Sequence, residues 1–331
     1  MIVDRFAALT LLDAPAEARA AEAAGYDGLW TTENRNDVFL TVTRAIDATS
    51  TLTIGTGVAI AFARTPMTVA YPAYALAELS GGRFILGLGS QVRAHVTSRF
   101  SMPWSAPADR MLEFVQAVRS IFATWHDGEP LHVRGEFYRH TLMNENFAPP
   151  RHQFGPPPIY LAGVGPRMTA VAGQCADGFL GHPFTTPSYV DDVTLPALHS
   201  QGRRPTPVLS AFAVIGRTDD ECCDGLSAVR RRIGFYAATP AYRPVLAHHG
   251  FADLQPKADA LARTGSWDEL ATLVPDELVD LMVAVGDPAT VAAHLHSRYG
   301  TLVDRIGLNL QVPTSPALID ETVALLRASS R

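Results

Sequence analysis

Leu79-Ser80-Gly81-Gly82-Arg83-Phe84-Ile85-Leu86-Gly87-Leu88-Gly89-Ser90-Gln91 is the stretch on which the fold turns. A helix end at Leu79 and Ser80 runs into the glycine pair, and a short apolar strand over 84–88 then stops at Gly89-Ser90. Glycines bordering a buried strand mark places where backbone turns sharply or where something approaches it closely. At the carboxyl ends of the strands of an α/β barrel, ligands sit. Gly87, Gly89 and Ser90 are therefore the first candidates for cofactor contact.

Working outward, strand and helix alternate, which predicts a parallel sheet buried on both faces. Strands are expected at 3–9, 28–31, 52–58, 84–88, 159–162, 177–181, 208–215 and 305–310. Helices are expected at 14–24, 37–50, 66–79, 108–125, from Gly163-Val164-Gly165-Pro166-Arg167-Met168 to about 176, at 218–235, from Asp287-Pro288 onward, and at 316–328. Gly25 suits a helix C-cap, Pro66 a first helical turn, and Asp219, Asp220 and Glu221 the positive end of a helix. Eight strands, each followed by a helix or room for one, read as one (β/α)8 TIM-barrel domain over 1–331, with insertions at about 126–158 and 240–281.

The chain has 331 residues, 47% apolar and 18% charged, which suits a large core. Its net charge of −6, from 27 basic and 33 acidic side chains, argues against nucleic-acid binding. Three cysteines without metal-type spacing fit a reducing cytoplasm. The first residues lack signal-peptide organisation, and no apolar run reaches the roughly 18 residues a membrane helix needs, so a soluble, cytoplasmic protein is expected.

Two strand exits carry glycine. Besides Gly89-Ser90-Gln91, the run Gly163–Arg167 opens a helix; it reads either as a plain turn or, from its place after the fifth strand, as a phosphate site on the helix's first amides and dipole, with Arg167 adding a charge-assisted contact. Neither run matches G-x-G-x-x-G after a first strand, nor a P-loop. Glu33 and Asn34 lie at the exit of the second strand; Glu33 is read as functional, Asn36 and Asp37 as helix caps. Among His95, His140 and His182, His182 has the strand-exit position, whereas His248-His249 reads as structural. Trp104 either walls an apolar pocket or pins its loop.

Taken in order, Gly25-Tyr-Asp-Gly-Leu-Trp30, Gly55-Thr-Gly57, Leu79-Ser-Gly-Gly-Arg-Phe84, Leu86-Gly-Leu-Gly89, Gly135-Glu-Phe-Tyr138 and Ala176-Asp-Gly178 resemble the luciferase-like monooxygenase superfamily, and within it the actinobacterial coenzyme F420-dependent oxidoreductases. The resemblance implies a flavin-like ring at the strands' carboxyl ends and a homodimer. It puts the acidic ring contact on Glu33 and a non-prolyl cis peptide at Gly57-Val58. The phosphate and ribityl contacts fall on Ser90, Gln91, His95, Val164, Gly165, Arg167 and Met168, beside Gly89 and Gly163. Where F420-dependent sugar-phosphate dehydrogenases have a catalytic histidine this chain has Asn34, and where they have a catalytic glutamate it has Val92. Asparagine has no proton to give at neutral pH, so activity on glucose 6-phosphate is not expected, and Glu33 and His182 are left as acid/base candidates. The leading expectation is hydride transfer between the deazaflavin C5 and a small organic substrate. An FMN-dependent monooxygenase and a non-catalytic flavin- or deazaflavin-binding barrel are the alternatives.

Overall fold

The computed structural model describes residues 1–328. Eight parallel strands form a ring: β1 Ile2–Ala7, β2 Gly28–Thr31, β3 Thr53–Thr56, β4 Phe84–Gly89, β5 Ile159–Gly163, β6 Gly178–Gly181, β7 Thr206–Ile215 and β8 Arg305–Asn309. The ring closes because β1 pairs with both β2 and β8, and β7 with both β6 and β8. This is a (β/α)8 TIM barrel. β2 and β4 are buried along their whole length, as strands must be when side chains fill the lumen and helices cover the outside. Local chemistry agrees with the architecture. The Asp37 carboxylate caps the helix Val38–Asp47 by accepting from the amides of Phe39 and Leu40. Capping boxes Thr65/Thr68 and Thr218/Glu221 start the helices Pro66–Leu79 and Asp219–Ala237.

The lumen is packed by rings set against missing side chains. Phe6, Trp30 and Tyr160 stack in sequence, with centroids 6.0 and 5.6 Å apart. A Cβ on Gly307, Gly55 or Gly178 would collide with the Phe6, Trp30 and Tyr160 rings respectively. Below them Asp4, fully buried, accepts from Trp30 Nε1 at 2.8 Å and from Arg305 Nε and Nη2 at 2.8 and 2.7 Å. A Cβ on Gly28 would lie 2.6 Å from both partners of that ion pair. Four of these strand glycines are thus the counterparts of lumen side chains.

Two differences from the sequence expectation have physical causes. The third strand, expected over 52–58, ends at Thr56; the Gly57-Val58 peptide is cis, and Ala59–Ile60 resumes as a short strand on β4. A further strand, Val283–Gly286, pairs with Phe212–Ile215, the end of β7 that runs on past β8. Four apolar residues between two helices carry no period long enough to reveal a strand.

In the 126–158 segment, Val133–Arg134 and Arg139–His140 form an antiparallel hairpin. The Glu113 carboxylate accepts from the amides of Glu136, Phe137 and Tyr138, and Gly135 leaves it room. Between 240 and 282, short helices pack on Asp219–Ala237 around a second apolar cluster that includes Phe184, Phe212, Ile233 and Leu246.

Candidate active site

The carboxyl ends of β2 to β6 bring most of the expected site residues together. Glu33, just past β2, is 8% exposed, and its carboxylate accepts from the Ile60 amide at 2.8 Å and from both terminal nitrogens of Arg64. Arg64 also pairs with Asp37 at 2.7 Å and lies over the Phe39 ring. Burial alone would lower the Arg64 pKa; the Glu33 and Asp37 carboxylates outweigh it and hold the guanidinium above its ordinary value. This fork-on-fork pair fixes the segment that carries the cis Gly57-Val58 peptide. Arg64 gave no signal in the sequence, where it reads as an ordinary loop cation.

Gly87 and Gly89 have protein neighbours rather than open space in front of them. The Thr56 hydroxyl donates to the Gly87 carbonyl at 2.7 Å and accepts from its amide at 2.8 Å, so a side chain on Gly87 would strike Thr56 backbone. A Cβ on Gly89 would lie 2.6 Å from Val58 Cγ2, so this glycine seats the Val58 side chain. Beyond them, Gln91 is held at φ 61°, a region sparsely used by residues other than glycine, with its side chain accepting from the Val92 amide. The Ser90 hydroxyl donates to the Gln91 carbonyl at 3.1 Å. His95 is exposed at the start of a π-helical turn, His95–Arg99, and its side chain makes no hydrogen bond to a described residue. Arg99 donates to the Asn34 carbonyl at 2.9 Å, tying this loop to the β2 exit. Asn34 itself is exposed and donates to the Thr32 hydroxyl.

β5 and β6 are in register at Gly163 and Gly181, which puts Val164 beside His182. Met168 and Phe179 cover Gly163, but around Gly165 a Cβ would meet nothing within 4 Å. Gly165 is the N-cap of the helix Pro166–Cys175, and no side chain caps that first turn. The amides of Arg167 and Met168 therefore face this space with no partner inside the helix. The Arg167 side chain is exposed and makes no hydrogen bond to a described residue. The site thus has an open, uncapped helix start at one strand exit and a tightly packed ledge, Val58 on Gly89, at another.

His182 sits between aromatic rings, 4.5 Å from Tyr236 and 4.7 Å from Tyr242. Burial pushes its pKa down to about 3, so the ring is neutral. The Phe184 amide donates to Nδ1 at 3.1 Å, which puts the proton on Nε2, and Nε2 makes no hydrogen bond to a described residue. Tyr236 and Tyr242 escaped the sequence reading, because single aromatics in a helical stretch look like core. On the inner wall Asn309 donates to the Ser210 hydroxyl at 3.2 Å. Trp104 packs edge-on against Phe62, centroids 5.7 Å apart. No helix among the described residues is long and apolar enough to cross a membrane, and no group of three or more metal-binding side chains is found among them.

A profile of the luciferase-like monooxygenase family matches residues 7–305. The chain belongs to that family. An uncharacterized protein of Mycobacterium tuberculosis is 43% identical over 302 residues, 87% of this chain and 89% of its own. A 5,10-methylenetetrahydromethanopterin reductase of Methanolobus tindarius is 29% identical over 307 residues, 90% of this chain and 89% of its own. Among solved structures, the coenzyme F420-dependent tetrahydromethanopterin reductase of Methanopyrus kandleri superposes with a TM-score of 0.81 at 19% identity, covering 99% of this chain and 98% of that one. That likeness extends the fold match over 99% of the chain.

Proposed function

We propose that this luciferase-like protein is an F420-dependent oxidoreductase that passes hydride between the deazaflavin C5 and a small organic substrate. The observation that carries the reading is the open space at Gly165, in front of an uncapped helix start, on a rim where the other glycines of β4 and β5 are filled. An anionic tail suits the Arg167 and Met168 amides and the Arg167 guanidinium. Val58, seated on Gly89 and held by the Glu33–Arg64 pair, offers an apolar ledge for a flat ring. Ser90, Gln91 and His95, which follow Gly89, and Val164, which precedes Gly165, complete the cofactor groove of this proposal. The names of the relatives support a deazaflavin over FMN.

When bound, the deazaflavin supplies the carbon that carries hydride. The protein's part is to bind, orient and keep water out. With both oxygens engaged by Arg64 and Ile60, Glu33 serves as the anchor of the ledge, and its action on the ring runs through that segment. His182 offers Nε2–H, a neutral donor that polarises a substrate oxygen without surrendering a full proton. The Asn34 carbonyl, accepting from Arg99, ties the loop after β4 to the exit of β2. A homodimer in the cytoplasm belongs to the same proposal.

Titration of the purified protein with F420 and with FMN tests it. F420 is expected to bind, and Gly165→Val to weaken it by about tenfold or more, because a side chain then fills the cradle. Micromolar uptake of FMN alone would replace this reading with the monooxygenase one. F420 binding without consumption of reduced cofactor across ketones, enones and alcohols would leave a non-catalytic binder.

A further inference from the structure

The proposed cofactor groove draws on the exits of β3, β4 and β5, whereas the exits of β6, β7 and β8 carry a row of polar side chains. Leu180 and Val208 belong to the lumen cluster of Trp30 and Tyr160, and Gly307 faces the Phe6 ring. Side chains alternate along a strand, so the next inward positions are His182, Ser210 and Asn309. β7 joins the three, being in register with β6 at Leu209 and Gly181 and with β8 at Ser210 and Gly307.

Hydrogen bonds run along this row in one direction and end on a cation. Arg232 Nε donates to Gln311 Oε1 at 2.7 Å, Gln311 Nε2 donates to Asn309 Oδ1, and Asn309 Nδ2 donates to the Ser210 hydroxyl at 3.2 Å. Ser210 is buried, Asn309 and Gln311 are half-buried, and Arg232 is exposed. The helix Asp219–Ala237 brings Arg232 here. It follows the part of β7 that runs on past β8 and comes back so that Arg232 meets Gln311 and Tyr236 packs 4.5 Å from the His182 ring. The guanidinium lies 5.8 Å from the Tyr236 ring and 5.9 Å from that of Phe235, and the Tyr236 hydroxyl bonds it. Arg230, two residues earlier, pairs with Asp276, but Arg232 forms no ion pair with a described residue. A guanidinium oriented through its Nε and two rings, and left without a carboxylate, is a fork matched to a planar anion.

We propose that this half of the mouth seats a short oxo- or hydroxycarboxylic acid, its carboxylate on the Arg232 fork and its carbonyl or hydroxyl oxygen accepting from His182 Nε2. The reacting end rests on the oxidoreductase reading, while the carboxylate seat rests on the row itself. Tyr236 touches both the fork and the imidazole, so an acid of a few carbons reaches from one to the other. His182, Ser210, Asn309, Gln311, Tyr236 and Tyr242 include no acid, so no member of the row repels an anion. Arg232 thereby sets specificity: a carboxylate gains a charge-assisted pair that a neutral ketone of the same length cannot make.

The test is calorimetric titration of the full-length protein, with and without F420, using levulinate and, as a neutral control of equal carbon count, 2-pentanone. Levulinate is expected to bind the more tightly. Arg232→Gln should weaken levulinate by about tenfold or more, the value of a hydrogen bond to a charged group, and leave 2-pentanone unchanged. Gln311→Leu, which releases Nε, should weaken levulinate by a smaller factor. Arg232→Lys should keep only part of the affinity, because an ammonium lacks the fork. Should Arg232→Gln fail to fold, the lysine variant carries the same comparison. Equal affinity for the two probes, or levulinate binding that ignores the loss of Arg232, would overturn the proposal. F420 titration of Arg232→Gln is expected to match the parent protein. A parallel loss of F420 and levulinate would instead give the fork to the cofactor's own anionic tail and overturn the proposal as well. Levulinate binding without any uptake of F420 by the parent would sink the oxidoreductase reading and leave the carboxylate seat standing.

Discussion

The lower lumen and the upper rim of this barrel are built from the same residue type and use it in opposite ways. Below, each missing side chain is matched by a large one: Gly55 by Trp30, Gly178 by Tyr160, Gly307 by Phe6 and Gly28 by the Asp4–Arg305 pair. Above, Gly87 and Gly89 follow the lower rule, filled by Thr56 and Val58, whereas Gly165 faces empty space. Polar groups divide likewise. Both Asp4 oxygens are bonded, while His182 Nε2 and the Tyr189 hydroxyl have no partner among the described residues. A strand glycine therefore speaks for a ligand only when no protein atom occupies the volume its side chain would have taken.

The comparison breaks hardest at Asp4. Asp4→Asn leaves Arg305 buried without a counter-charge and is expected to cost about 3–5 kcal/mol in denaturant unfolding. A loss below about 1 kcal/mol would show that the lumen pair contributes little. Next comes the glycine contrast. Gly55→Ala forces a methyl into the Trp30 ring and should cost about 1–3 kcal/mol. Gly165→Ala, at φ −109° with nothing within 4 Å, should leave stability unchanged and weaken only the cofactor. Equal losses at the two sites would erase the distinction drawn between lumen and rim.

His182 sharpens it through pH. Its pKa falls from 6.5 to about 3 on folding, so below pH 6.5 the unfolded chain binds a proton that the native one refuses. Stability from this group is full above 6.5 and declines as the pH falls toward 3, by about 2 kcal/mol at pH 5. His182→Phe should flatten that part of the stability profile, and an unaltered slope would show that the ring is not desolvated. The smallest effect is at the helix start beside the rim. Asp37→Ala removes a cap and one Arg64 contact, and should cost about 1 kcal/mol with little change in the Glu33–Arg64 pair.

Much of the barrel was legible because strand–helix alternation and helix punctuation are local. Pro66, Asp37 and Gly25 each act within one turn of chain, and each stands where the pattern put it. The cis peptide at Gly57-Val58 was legible only through the family resemblance. The roles of Glu33 and Gly89 were half legible. Their positions at strand exits could be read, but their partners Arg64 and Val58 come from other turns of the chain. Tyr189, Tyr236 and Glu113 carried no signal, because a lone tyrosine or glutamate in a helix looks the same whether it is paired, orphaned or exposed.

By itself, then, the amino-acid order determined the eightfold alternation, the helix ends and the family, since periodicity and capping need only neighbours within a few residues. Only the tertiary structure decided which glycines are filled and which is open. It also decided that Glu33 is clamped by Arg64, and that the buried Tyr189 hydroxyl has no partner among the described residues. Those facts depend on contacts between residues far apart in the chain, and the space left between them exists only once the ring has closed.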